Sequence, residues 1–137
     1  MLKKLYWTMV IYGILGLGAG LFFREYTKAH DFTGYSELAV THTHILVLGF
    51  MVMLILLGLE KVFELSKTKS FSLFFWHYNG GLVLSVAMMF VIGMRDIAGL
   101  DSSAMFAGIA GLGHIIITVG LVFLFVAIGR RLETSKS

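Results

Sequence analysis

The segment Thr41-His42-Thr43-His44-Ile45-Leu46-Val47-Leu48-Gly49-Phe50 places two imidazoles in an apolar run with no other ionisable side chain until Glu60. Ionisable groups in a hydrocarbon layer are costly, so they usually line a site. Residues two apart on an α-helix point about 200° apart, and His42 and His44 cannot chelate one ion from the same helix. The pair therefore serves two faces, whereas a zinc-hydrolase helix would carry histidines at i and i+4. Neutral imidazole is a strong haem-iron ligand, and Ile45, Leu46, Val47 and Phe50 suit the apolar face of a porphyrin. Spacing alone leaves three chemistries open: haem ligation, binding of another metal, and hydrogen bonding between packed helices.

Three further histidines are present. His114 lies about 16 Å along a helix that starts near Ser103, a depth comparable with His44, which lies about 12 Å beyond Ser36. It is the rival axial ligand, since a His44–His114 pair within one chain would need no oligomer; the other reading is a packing histidine on a glycine-rich face. His77, about 9 Å beyond Phe71, enters from the opposite end and reads, with Trp76 and Tyr78, as interfacial or packing. His30 falls in a polar connection and reads as solvated. The other aromatics and the eight methionines read as core filling or lipid-facing.

The elements that must position these residues follow from composition. The chain has 137 residues, 58% of them hydrophobic and 14% charged, and its mean hydropathy is +0.88. That is more apolar side chain than a soluble domain of this size buries, so the solvent is lipid. Apolar runs extend over approximately 5–23, 38–59, 71–94 and 104–129, each near the ~20 residues that cross a bilayer. Caps extend the second and fourth, giving expected helices over approximately 5–23, 36–63, 71–94 and 103–129. Thr33 or Ser36 offers the start of the second helix, and Asp101, Ser102 and Ser103 the start of the fourth. The first run is longer than the ~7–15-residue core of a secretory signal and reads as a retained span. The expected fold is all-α: an integral membrane four-helix bundle forming one transmembrane domain over 1–137.

Lys3, Lys4, Lys61, Lys67, Lys69, Arg130, Arg131 and Lys136 flank one side of these spans; Arg24, Lys28 and Arg95 flank the other. The positive-inside rule then puts both termini in the cytoplasm of a multi-pass cell-membrane protein. The net charge of +3 and pI near 9.3 reflect charges scattered at span ends, so no nucleic-acid surface is expected. Cys and Pro are both absent. The lack of Cys excludes disulfides, thiolate metal sites and covalent c-type haem. Gly13, Gly16, Gly18 and Gly20 in the first helix, and Gly108, Gly111 and Gly113 in the fourth, mark faces where another backbone can approach closely.

Val40-Thr41-His42-Thr43-His44 followed by Gly49 resembles the tenth helix of subunit I in haem-copper oxidases and nitric oxide reductases, where an H-x-H pair ligates two different haems. The stretch Phe50-Met51-Val52-Met53-Leu54-Ile55-Leu56-Leu57-Gly58 is similar to the sequence after the low-spin-haem histidine on that family's second helix. Arg24-Glu25, Phe32-Thr33-Gly34 and Gly108-Ile109-Ala110-Gly111-Leu112-Gly113-His114 extend the likeness to a small uncharacterised four-span bacterial membrane family related to that subunit. The large subunit is built from three arcs of four helices, so the resemblance implies one arc standing alone and a homotrimer that rebuilds the ring. Combined with the opposed faces, it implies one haem b per protomer, held by His42 of one chain and His44 of the next. Arg24, Lys28 and Arg95, nearest the histidine-bearing end, then become partners for haem propionates, with Arg24 preferred. Their alternative is pairing with Glu25, Asp31, Glu37, Asp96 or Asp101.

The departures from that family bear on activity: there is no further histidine set for copper and no counterpart of its histidine–tyrosine crosslink. Oxygen or nitric oxide reduction is not the expectation, and no catalytic residue is assigned. Two axial histidines leave no open coordination position, which favours electron transfer. The expected function is a bis-histidine b-type membrane cytochrome. The alternatives are haem-based NO or O2 sensing, haem storage or transfer, and a non-haem helical scaffold subunit.

Overall fold

The computed structural model describes residues 1–101 and 104–134, and its regular elements are all helical. Ser102, Ser103 and Lys136, invoked above as caps and as a flanking charge, lie outside the described residues. Helix α1 spans Leu2–Ala29. The second span comprises α2 (Leu38–His44), a π-helical segment (Ile45–Met51) and α3 (Val52–Phe63). A short 3-10 turn, Leu65–Lys67, leads into α4 (Lys69–Ile97), and α5 spans Ala104–Thr134. Among the described residues, four helices are thus long and apolar enough to cross a membrane.

Helix α1 runs six residues beyond the expected end at Phe23. Charges end an apolar run without ending a helix, because Arg, Glu and Lys are good helix formers. Thr27 closes the added turn by donating from Oγ1 to the Phe23 carbonyl at 2.8 Å. Arg24 and Lys28 therefore stand on a helix rather than in the loop the sequence suggested.

The second span begins at Leu38, two residues later than expected. Ser36 still organises the start: its Oγ accepts from the Leu38 amide at 3.1 Å and donates to the Gly93 carbonyl at 2.8 Å. The Glu37 amide donates to the Asp96 carboxylate at 3.0 Å, so both bonds pin the start of α2 to the end of α4. At the other end, Glu64 takes a left-handed conformation (φ 51°) that stops α3. Thr68 opens α4 by accepting from the Phe71 amide.

Helices consecutive in the chain pack together, the first span on the second, the second on α4, and α4 most extensively on α5. The α4–α5 seam is close because both sides lack Cβ atoms. A Cβ at Gly81 would stand 2.7 Å from the Gly113 carbonyl oxygen and 2.8 Å from the Ile117 amide nitrogen. Phe71, Phe74, Tyr78 and Leu82 on α4 form the middle of the core with Met53 and Leu56 of α3. Tyr78 was read as interfacial or packing, and at 2% exposed it packs. Helical spacing turns it inward with Phe71 and Phe74, while Trp76 faces out.

Candidate functional site

His42 and His44 sit on the last turn of α2, directly before the π-helical segment. In a regular α-helix the Val52 amide would bond to the Leu48 carbonyl; here it reaches the Val47 and Gly49 carbonyls instead. The bypassed Leu48 carbonyl accepts from the Tyr78 hydroxyl at 3.0 Å. On the other side Gly49 lies under the Tyr12 ring, where a Cβ would stand 2.8 Å from Cδ1. Two tyrosines from the first and third spans thus clasp the wider winding, which sets how the histidine turn is aimed relative to α3.

The two imidazoles occupy different surroundings. His42 is half-buried against α1, its Cγ 3.6 Å from where a Cβ on Gly20 would be. Among the described residues its buried Nδ1 has no hydrogen-bond partner, and its Nε2 lies 3.4 Å from Thr43 Oγ1. Three residues on, and so on the same helix face, Ile45 floors an apolar cavity of about 390 Å³ between α1 and α4. Gly18, Phe22, Val86 and Phe90 are among its walls.

His44 faces elsewhere. Its Nδ1 is 3.0 Å from the Val40 carbonyl, and since a carbonyl only accepts, Nδ1 carries the proton and Nε2 the lone pair. It borders a smaller cavity of about 220 Å³ whose other lining residues, Thr43, Val47 and Leu48, all belong to the second span. Among the described residues, no other helix contributes to that cavity lining.

His114 is exposed on α5, where its Nδ1 donates to the Ala110 carbonyl at 3.0 Å. Since α5 packs chiefly on α4, the chain does not bring His114 together with His44. His77 is half-buried, with its ring centroid 5.3 Å from that of Phe123 and Nδ1 bonded to the Leu73 carbonyl. His30 is exposed at the end of α1, its ring centroid 4.3 Å from that of Tyr26 in a tilted pair. Among the described residues, no three His, Asp or Glu side chains gather to hold a metal ion.

Arg24 and Lys28 follow Gly20 at intervals of four, so they continue up the stripe of α1 that His42 contacts. Arg24 is exposed and lies 3.6 Å from Glu25. Arg95 is engaged elsewhere: its Nη2 donates to the Asp101 carbonyl at 2.7 Å and its guanidinium lies 5.2 Å from the Phe106 ring centre. The alternative foreseen for these three cations was pairing with Glu25, Asp31, Glu37, Asp96 or Asp101; Arg24 approaches the Glu25 carboxylate, whereas Arg95 meets the backbone of Asp101.

Reasoning from sequence missed the tyrosine clasp and the polar pair beside it, in which Tyr12 donates to Asn79 Oδ1 at 2.9 Å. The available signal was polar side chains inside spans, which need internal partners in lipid. Glu60 was noted as the next ionisable group after the histidines. It is 7% exposed, accepting from the Ser66 amide at 2.9 Å and from the Ser66 hydroxyl, and so fastens the turn after α3.

A family model covers nearly this whole arrangement, from residue 2 to residue 131. The chain belongs to the DUF2871 family. That family is described as a protein of unknown function. No curated protein and no solved structure matches the chain. In this DUF2871 member the histidine turn, the π segment and the tyrosines that hold it all lie within the matched residues.

Proposed function

We propose that this chain is a haem b-binding membrane cytochrome of the cell membrane that relays electrons. It acts as a homotrimer, with His42 of one protomer and His44 of the next as axial ligands at each interface and both termini in the cytoplasm. The observation that carries the reading is the division of labour between the two imidazoles. His42 packs on α1 at Gly20, three residues before the Ile45 that lines the apolar cavity between α1 and α4, and among the described residues its buried Nδ1 has no hydrogen-bond partner. His44 turns a lone pair on Nε2 outward, and its ring is held by the Val40 carbonyl. Such an anchoring bond fixes the orientation of a ligating imidazole and raises its basicity.

The residues fit the group. Gly18, Ala19, Phe22, Val86 and Phe90 offer an apolar wall for a porphyrin face. Arg24 and Lys28, on the His42 stripe, would hold propionates. Arg95 is the weaker candidate because its guanidinium is already committed to the Asp101 carbonyl. When bound, the haem would supply one-electron redox chemistry, and ligation on both sides disfavours exchange with small gases. The chain's own part is to orient the two imidazoles, exclude water with apolar walls, and place cations toward one membrane face.

The test is purification from haem-replete cells, followed by reduced-minus-oxidised and pyridine haemochrome spectra. A b-type spectrum with no change on adding CO or NO supports electron relay. Spectral change with either gas favours sensing or haem transfer, and protein without a Soret band favours a scaffold role.

A further inference from the structure

A cavity of about 570 Å³ lies between α1 and α4 at the end of the molecule that carries Lys3 and Lys4. Those two lysines line its mouth, and its lining reaches Leu15 on α1 and Val83 on α4. From Lys3 to Leu15 is about 18 Å of helix, against roughly 15 Å for one leaflet of a ~30 Å hydrocarbon core. The polar groups at its depth, Tyr12 and Asn79, satisfy each other, and Asn79 Nδ2 donates onward to the Phe75 carbonyl at 2.7 Å. The body of the groove therefore offers little to a polar ligand, while its mouth offers two cations. Among the described residues neither Lys3 nor Lys4 has a carboxylate within ion-pair distance. Lys4 Nζ sits instead 5.9 Å from the centre of the Trp76 ring. Trp7 and Trp76, 59% and 66% exposed, flank the same opening at the level where indoles mark a headgroup region.

We propose that this groove is a binding site for an anionic glycerophospholipid, with the headgroup phosphate at Lys3 and Lys4 and one acyl chain laid between α1 and α4. The charge complementarity at the mouth distinguishes this occupant from bulk zwitterionic lipid, which would fill the groove without preference. The site is separate from the histidine turn, and it stands whether or not haem is bound.

The sequence supplies its own reporter, because Trp7 and Trp76 are the only two tryptophans and both line this groove. The full chain is reconstituted into phosphatidylcholine bilayers containing either dibrominated-chain phosphatidylglycerol or dibrominated-chain phosphatidylcholine, and tryptophan quenching is followed against mole fraction. The expected result is a preference for phosphatidylglycerol on the order of tenfold, since each basic residue near an anionic headgroup adds to attraction. The preference falls to parity in Lys3→Gln/Lys4→Gln, persists in Lys3→Arg/Lys4→Arg, and weakens with salt. Equal quenching by the two lipids in the wild type, or a preference that survives Lys3→Gln/Lys4→Gln, would overturn the proposal. So would protection of both tryptophans from either lipid, which would assign the groove to a second copy of the chain.

Discussion

The hydroxyl of Tyr78 on α4 donates to the carbonyl of Leu48, one turn beyond His44, at 3.0 Å. That carbonyl is the one the π-helical winding leaves without its regular amide partner. Tyr78→Phe should leave a buried carbonyl unpaired and cost about 1–3 kcal/mol. The expected outcome is a lower midpoint of detergent-induced unfolding with helix content retained. On the proposed function, haem content falls as well, because the π segment can then relax and re-aim His44.

Gly81 should tolerate no side chain. Gly81→Ala drives a methyl into the Gly113 carbonyl and the Ile117 amide, both backbone atoms that cannot rotate away. Overpacking of this kind costs about 1–3 kcal/mol. Gly58→Ala, where a Cβ meets nothing within 4 Å, is the control. It should be neutral or stabilising by up to ~1 kcal/mol through helix propensity. Unfolding midpoints of the two variants, measured side by side, check the α4–α5 seam.

Gly20 allows a finer test of the His42 surroundings. A methyl there would sit 3.6 Å from His42 Cγ, an ordinary contact, so Gly20→Ala should keep both fold and ligand. Gly20→Leu should displace the imidazole. The account expects haem content to fall severalfold in Gly20→Leu alone, read from pyridine haemochrome per mole of protein. A fold-wide effect would instead appear as lost helix content in circular dichroism.

At the turn after α3, Lys67 donates to the Glu64 carboxylate at 2.7 Å, and Arg131 approaches it at 3.2 Å. The Lys67 hydrogen bond and charge, with a smaller contribution from Arg131, hold the Glu64 carboxyl below its ordinary value of 4.5. A depressed pKa in the folded state makes the contribution present above the unfolded value and lost as pH falls through the folded one. The unfolding midpoint of the wild type should therefore exceed that of Glu64→Gln near neutral pH, with the gap closing as pH falls below about 4. Glu64 is exposed, so the gap should be small and should shrink in high salt.

Much of the architecture was legible because lipid imposes a simple rule: a span must be apolar for ~20 residues and hydrogen-bonded within itself. That rule locates four helices, but it reads where apolar residues stop rather than where the helix stops. Hence α1 continues through Arg24 and Lys28. The divergence of His42 and His44 was legible from helical rotation alone. The π segment was not, since its stabilising partners, Tyr12 and Tyr78, lie 30 or more residues away in sequence. For Tyr78 the composition left two readings open, interfacial belt or packing, because a tyrosine near a tryptophan at a span end suits either; the α4 face it shares with Phe71 and Phe74 decides for packing. Arg95 shows the same limit, because a backbone carbonyl as partner leaves no trace in residue type.

Cross-protomer ligation can be tested in one measurement by co-expressing His42→Ala and His44→Ala with distinct tags and determining haem per isolated mixed trimer. Each variant alone should lack haem, since every interface is then short of one imidazole. In any mixed trimer one interface still joins an intact His42 to an intact His44, so the account predicts recovery of one haem per trimer with a bis-histidine spectrum. Mixed assemblies that remain empty, or a haem-loaded wild-type monomer, would contradict it.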